Sequence, residues 1–150
     1  MESLKTAALE EIRRQLNAKV EDLQILVDSG RESRDSSSKS SAGDKHETSR
    51  ALMQNEMDQN KRVLSEALAL KRDFDQIDYE KKHVSVQRGS LVKTQNGMFL
   101  ISIGMGKVQI ADESIFVISL ASPIGRALHG AAIGDTITFQ NKKFEILAIS

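Results

Sequence analysis

The chain has 150 residues, 39% of them hydrophobic and 28% charged, with no cysteine and a formal net charge of zero. That composition suits one medium or two small folded domains, and it excludes a disulfide scaffold, thiolate chemistry and bulk attraction to nucleic acid. Charge is unevenly spread: residues 1–82 carry 15 Lys/Arg and 17 Asp/Glu, whereas residues 83–150 carry 6 and 4. The opening segment MESLKTAALEEIRR holds no unbroken apolar stretch. It reads as neither a signal peptide nor a membrane span, and a cytoplasmic location is expected.

The first half carries two helical seams. Leu9, Ile12, Leu16, Lys19, Leu23 and Leu26 recur at spacings of three and four, a coiled-coil stripe with one polar interruption. Val63, Ala67, Leu70, Phe74 and Ile77 repeat the rhythm, and its extension backwards passes through Asn60 and Glu56. Between them, Ser33 to Ser41 holds six serines in nine positions, a composition that breaks helices and suits a solvated turn. A turn centred near Lys39 predicts antiparallel helices whose facing residues have numbers summing to about 79. Leu16 then faces Val63, Ile12 faces Ala67, and Lys19 meets Asn60 in a polar layer that fixes register. Helices of roughly 27 and 33 residues would give an arm of about 40–50 Å over residues 1–80, with its Ser-rich tip near 33–43.

From residue 84 the period changes. Short apolar runs, Leu91–Val92, Phe99–Ile103, Val108–Ile110, Ile115–Leu120, Ile137–Phe139 and Phe144–Ile149, alternate with turn residues. Asn96-Gly97 signals a hairpin of type I′, and Gly104 with Gly106 marks a second tight turn. Ser122 to Gly130 reads as a short helix with Ser122 as N-cap, Pro123 at the first helical position and Gly130 as the stop. The expectation is an α+β protein: an antiparallel helical hairpin followed by a small antiparallel β-rich domain over residues 84–150.

The segment ISLASPIGRALHGAAIGDTITFQNKKFEILAI, Ile118 to Ile149, closely resembles the end of the Gre transcript-cleavage factors. Those chains carry Ile-Ser-x-x-Ser-Pro, a small or apolar residue, two variable positions, Ala or Gly, Leu-x-Gly, and then Gly-Asp. The resemblance implies an FKBP-like fold for residues 84–150 and an RNA polymerase-binding elongation factor acting as a monomer. It implies docking at the polymerase's secondary channel through the loop and helix that hold Ser119, Ala121, Ser122, Pro123, Ile124 and Leu128. At the tip the family carries Gly-Asp-x-x-Glu-Asn-Ala-Glu-Tyr, matched here by Gly43, Asp44 and Glu47. Thr48, Ser49, Arg50 and Ala51 stand in place of the last four. By resemblance, Asp44 and Glu47 would help hold a second Mg²⁺ in the polymerase's own active centre and promote cleavage at the backtracked RNA 3′ end. The chain would then be no enzyme itself and would carry no cofactor of its own.

Plainer readings stand beside these. Asp44 and Glu47 have the spacing of a capping box at the start of the second helix, and carboxylates suit that terminus anyway. His46 between them has the range of a proton shuttle, but a lone histidine on a tip is ordinarily solvated. Arg31, Arg34, Lys39, Lys45 and Arg50 are interleaved with acids, which describes a mixed solvated surface. Met53 and Met57 flank the seam as gap fillers. Neither His83 nor His129 is placed to activate Ser122 as a nucleophile. Gly104-Met105-Gly106 lacks the third glycine of a dinucleotide site. Three alternatives therefore remain: a channel-occupying regulator without cleavage, a prolyl isomerase, and a coiled-coil adaptor.

Overall fold

A computed structural model describes residues 1–37 and 44–150, with the side chains of 33–37 and 44–46 outside that description. Two N-terminal helices are followed by a six-stranded mixed sheet. Helix α1 spans Glu2–Ser37 and α2 spans Asp44–Asp75. The turn expected at Lys39 lies outside the described residues. Helix α1 continues through Ser33, Ser36 and Ser37, past the expected stop. Serine costs only about 0.5 kcal/mol relative to alanine in a helix, less than ending the helix earlier would lose in hydrogen bonding.

Compactness divides the chain into two units, Arg14–Arg72 and Met1–Arg13 with Asp73–Ser150. In this division the helix bases share a unit with the sheet. In the Arg14–Arg72 unit the helical segments are about 36 and 43 Å long. The seam does not follow Lys19 and Leu26, which are exposed, Leu26 by 46%. It follows Leu16, Val20, Leu23, Val27 and Gly30 on α1, and Met53, Met57, Asn60, Leu64 and Ala67 on α2. Both sets step by four, three, four, three, a regular heptad seam. Leu16 lines one groove with both Val63 and Ala67. Gly30 lies against Met57, and the two share a second groove with Met53. The polar layer of Lys19 with Asn60 is not formed. The route through Val20 and Val27 wins because it buries no ammonium group. Met57, only 1% exposed, is the centre of this seam rather than its flank.

A β-carbon on Gly30 would sit 3.8 Å from Met57 Cγ, an ordinary contact. Gly30→Ala therefore fits, and it removes glycine's helix penalty. It should stabilise the helical unit by about 0.5–1 kcal/mol, measured by thermal melting.

In the second unit, β1 is Leu91–Thr94, β2 Gly97–Ile101, β3 Gly106–Ile110 and β4 Glu113–Ile118; helix α3 is Pro123–Leu128, and β5 Thr136–Phe139 and β6 Lys142–Ile149 follow. The sheet order is β3-β4-β2-β1-β6-β5. Every apolar run read from the sequence falls on a strand, but the sheet is mixed rather than antiparallel. Strands β2 and β4 run parallel, from Met98 opposite Ile115 to Ile101 opposite Ile118, with β3 as the outer return. The β1–β2 hairpin forms one residue earlier than its glycine suggests. Thr94 pairs with Gly97, so Gln95 and Asn96 make the turn. Thr94 Oγ1 donates to Gly97 O at 2.8 Å and accepts from Asn96 N at 3.1 Å, holding it there. The positive-φ pair of a type I′ turn occurs instead at Gln140 and Asn141, φ 50° and 64°, between β5 and β6.

One sheet face holds Val92, Phe99, Ile101, Phe144 and Ile146, packed with Val86, Leu128 and Ala131. Phe99 stacks on Phe116 at 5.7 Å and meets Phe144 edge-on at 5.9 Å. Leu91, Leu100, Ile115 and Val117 are buried too, as are Ala8, Ile12, Phe74 and Ile77 from the helix bases in the same unit. Gly89 marks where the segment after α2 meets the sheet. Its φ is +96°, and a β-carbon would lie 2.5 Å from the Asp78 carbonyl oxygen, so only glycine fits.

Candidate functional site

The loop and helix between β4 and β5 are built around one carbonyl. Ser119 O accepts from Ser122 N at 3.1 Å and from Ser122 Oγ at 2.7 Å. The same hydroxyl accepts from Gly125 N at 3.0 Å, so Ser122 is the N-cap and Pro123 opens the helix. Gly125 is pressed onto this knot, where a β-carbon would collide with Ser119 O and lie 2.9 Å from Ser122 Oγ. At the other end, His129 N donates to Gly125 O, and Gly130 turns at φ +82° with its N–H on Val86 O at 2.9 Å. His129 Nε2 lies 3.2 Å from Gln87 Oε1.

The residues expected to touch a partner divide by exposure. Ala121 and Pro123 are exposed; Ser119, Ser122 and Ile124 are half-buried. Leu128 is fully buried in the core cluster, so it supports the helix from beneath and offers a partner no surface. Arg126 and His129 are exposed on the same short helix and its cap. Gly125, which fell on a variable position of the sequence pattern, is the structural key. A glycine inside the first turn of a helix is the signal that marks it.

At the arm tip, Asp44 is the first residue of α2, and the Glu47 side chain in the same turn is exposed. The capping role of Asp44 and the surroundings of His46 lie outside the described side chains. Among the described residues, no group of three His, Cys, Asp or Glu gathers to hold a metal ion. No helix is long and apolar enough to cross a membrane among the described residues.

A second polar cluster was not read from the sequence. Lys5, 7% exposed, donates from Nζ to Tyr79 O at 2.6 Å and to Ser150 O at 3.1 Å. Burial lowers its pKa, with the Glu2 and Asp78 carboxylates opposing that shift. Tyr79 packs its ring on Phe74 at 5.1 Å, with the Arg13 guanidinium 5.5 Å from the far ring. The Tyr79 hydroxyl lies 2.7 Å from Ser102 Oγ. An open cavity of about 420 Å³ beside this cluster is lined by acidic and basic side chains together, among them Glu10, Arg13, Glu80 and Lys82.

Burial pushes the Tyr79 phenol up to about 12, against the bond to Ser102 and the charge of Arg88. The folded state thus keeps a proton that the unfolded chain releases near 10, so stability falls as pH rises between these values. The ring is partly solvated, which reduces the full linkage of ~2.7 kcal/mol to about 1 kcal/mol. Denaturation between about pH 9 and 11.5 should show this extra loss in the wild type and not in Tyr79→Phe.

Residues 105–150 match the family described as transcription elongation factor, GreA/GreB, C-terminal. None of the curated proteins compared matches the chain. Among solved structures, GreA factor homolog 1 (Gfh1) of Thermus thermophilus aligns over 92% of this chain and 94% of that one, with 18% identity and a TM-score of 0.35. At that score the likeness adds nothing to the fold already described. The matched segment holds β3 to β6 and the Ser122-capped helix on its Ser119 knot; over those residues the chain is similar to the C-terminal domain of the GreA/GreB family.

Proposed function

We propose that this chain is an RNA polymerase-binding transcription elongation factor that acts in the cytoplasm as a monomer. Its globular domain, residues 84–150, has an FKBP-like fold and docks at the rim of the secondary channel. Its helical arm, residues 1–80, presents a tip to the polymerase's active centre and, through it, to the nascent RNA 3′ end. The match of residues 105–150 carries this reading, because it includes the whole Ser119–Gly130 loop and helix. Ala121 and Pro123 are the exposed apolar contacts there, held in place by the Ser122 cap and the buried Leu128. Ala121→Glu should lower polymerase affinity about tenfold or more by placing an unpaired charge in the interface. At an exposed loop position the same change should move stability by less than about 0.5 kcal/mol. Binding of the full-length chain to purified polymerase, wild type against Ala121→Glu, measures it; equal affinities would remove this loop from the interface.

The finer question is what the tip does. Glu47 is an exposed carboxylate three residues after Asp44, and Mg²⁺ in enzyme sites takes one or two protein carboxylates with phosphate and water. That fits a shared site inside the polymerase better than a site of the chain's own. A metal held there would supply charge stabilisation to the cleavage of backtracked RNA. The second reading is a regulator that occupies the channel without stimulating cleavage. It is favoured by Thr48, Ser49, Arg50 and Ala51, which depart from the family's tip pattern. A transcript-cleavage assay on backtracked complexes separates the two, since only the first accelerates release of the 3′ fragment.

A further inference from the structure

We propose that Lys5 is a clasp that seats the base of the two N-terminal helices on the sheet of the same unit. A single side chain from the start of α1 reaches two distant main-chain oxygens, Tyr79 O after α2 and Ser150 O after β6. Ser150 is itself tied to β1, since its O accepts from Leu91 N at 2.9 Å and its N donates to Leu91 O at 2.8 Å. Tyr79 extends the chain of contacts to Ser102, just past β2, through its hydroxyl. Lys5 thus gathers α1, the end of the α2 segment and the central strands β1, β2 and β6 into one polar knot.

An apolar residue of the same length would fill this space without stripping water from an ammonium group. What the ammonium adds is direction. Its donors hold two main-chain oxygens at one point, so only one seating of the helix bases satisfies all of them. Glu2 and Asp78 provide the compensating negative charge nearby, and Lys82 pairs with Glu2 at 3.5 Å on the exposed side. The consequence for the tip rests on the function proposed above; the clasp itself does not.

Lys5→Met keeps the apolar stem and removes the donors. In the full-length variant, backbone amides of residues 5–13 and 74–82 should exchange hydrogen about tenfold faster or more, while those of β3 and β4 stay protected. Unchanged exchange at 5–13 and 74–82 overturns the clasp, since stem packing alone would then explain the site. If Lys5→Met does not fold, Lys5→Gln, too short to hold both oxygens, decides on the same amides: faster exchange at 5–13 and 74–82 supports the clasp and unchanged exchange overturns it. With polymerase, Lys5→Met should bind within about threefold of wild type yet lose about tenfold in tip effect, because misplaced groups lose reactivity faster than affinity. Quickened exchange with an intact tip effect overturns the functional half alone. A wild-type chain without any effect on polymerase overturns the proposed function and leaves the exchange result standing.

Discussion

Gly125→Ala is expected to destabilise the sheet unit by about 3 kcal/mol or more, lowering its melting temperature by roughly 10 °C or more. The new methyl group would meet backbone, not a movable side-chain end. Ser119 O is the collision partner, Ser122 Oγ would lie at 2.9 Å and the Ser119 carbonyl carbon at 3.0 Å. Neither residue is free to retreat. Ser119 O holds two hydrogen bonds from Ser122, and Ser122 Oγ holds Gly125 N. Relief requires α3 to lift, which would pull Leu128 out of the core. Arg126→Ala, one residue on and exposed, is the control and should cost less than about 0.5 kcal/mol. A Gly125→Ala protein that melts with the control would show that the helix does not press on this carbonyl.

The other large effect concerns the tip. If the tip carboxylates assist cleavage, Asp44→Asn should abolish stimulated cleavage while polymerase affinity and melting temperature stay nearly constant. Asparagine caps a helix as well as aspartate, so the exchange removes one charged oxygen ligand and spares the helix. Glu47→Gln should behave alike, because glutamine completes a capping box and Glu47 is exposed. If the pair only caps, both amide variants should be silent in every assay. Asp44→Ala would then cost about 1 kcal/mol of stability. A wild type that binds polymerase without accelerating cleavage selects the channel-occupying reading, and the amide variants would leave its occupancy unchanged.

The elements of this protein were far more legible than their partners. Each strand announced itself by an apolar run between turn residues, and Ser122-Pro123 gave away its helix because capping chemistry is local. The seam was harder. Threes and fours can be threaded through Leu26 or through Val27, and only the position of the facing helix chooses Val27, 3% exposed. The parallel pairing of β2 with β4 was invisible for the same reason: neither strand's own residues state which neighbour it takes. Lys5 lies 74 residues from Tyr79 and 145 from Ser150, a separation no local pattern spans. At Gly97, Thr94 outbid a strong dipeptide signal by holding the turn one residue earlier.

The place of β6 in the sheet, between β1 and β5, has a consequence in time. Strand β1 must wait for a strand some fifty residues later, with Val92 opposite Ile149. Contacts of such high sequence separation close slowly, since chain entropy is lost before the pairing repays it. During synthesis, helices and the β1–β4 strands can assemble while β1 still presents an open row of backbone donors and acceptors. An edge of that kind invites pairing with another chain until β6 arrives to cover it. Pairing of β6 with β1 is therefore the step that closes this edge within the sheet.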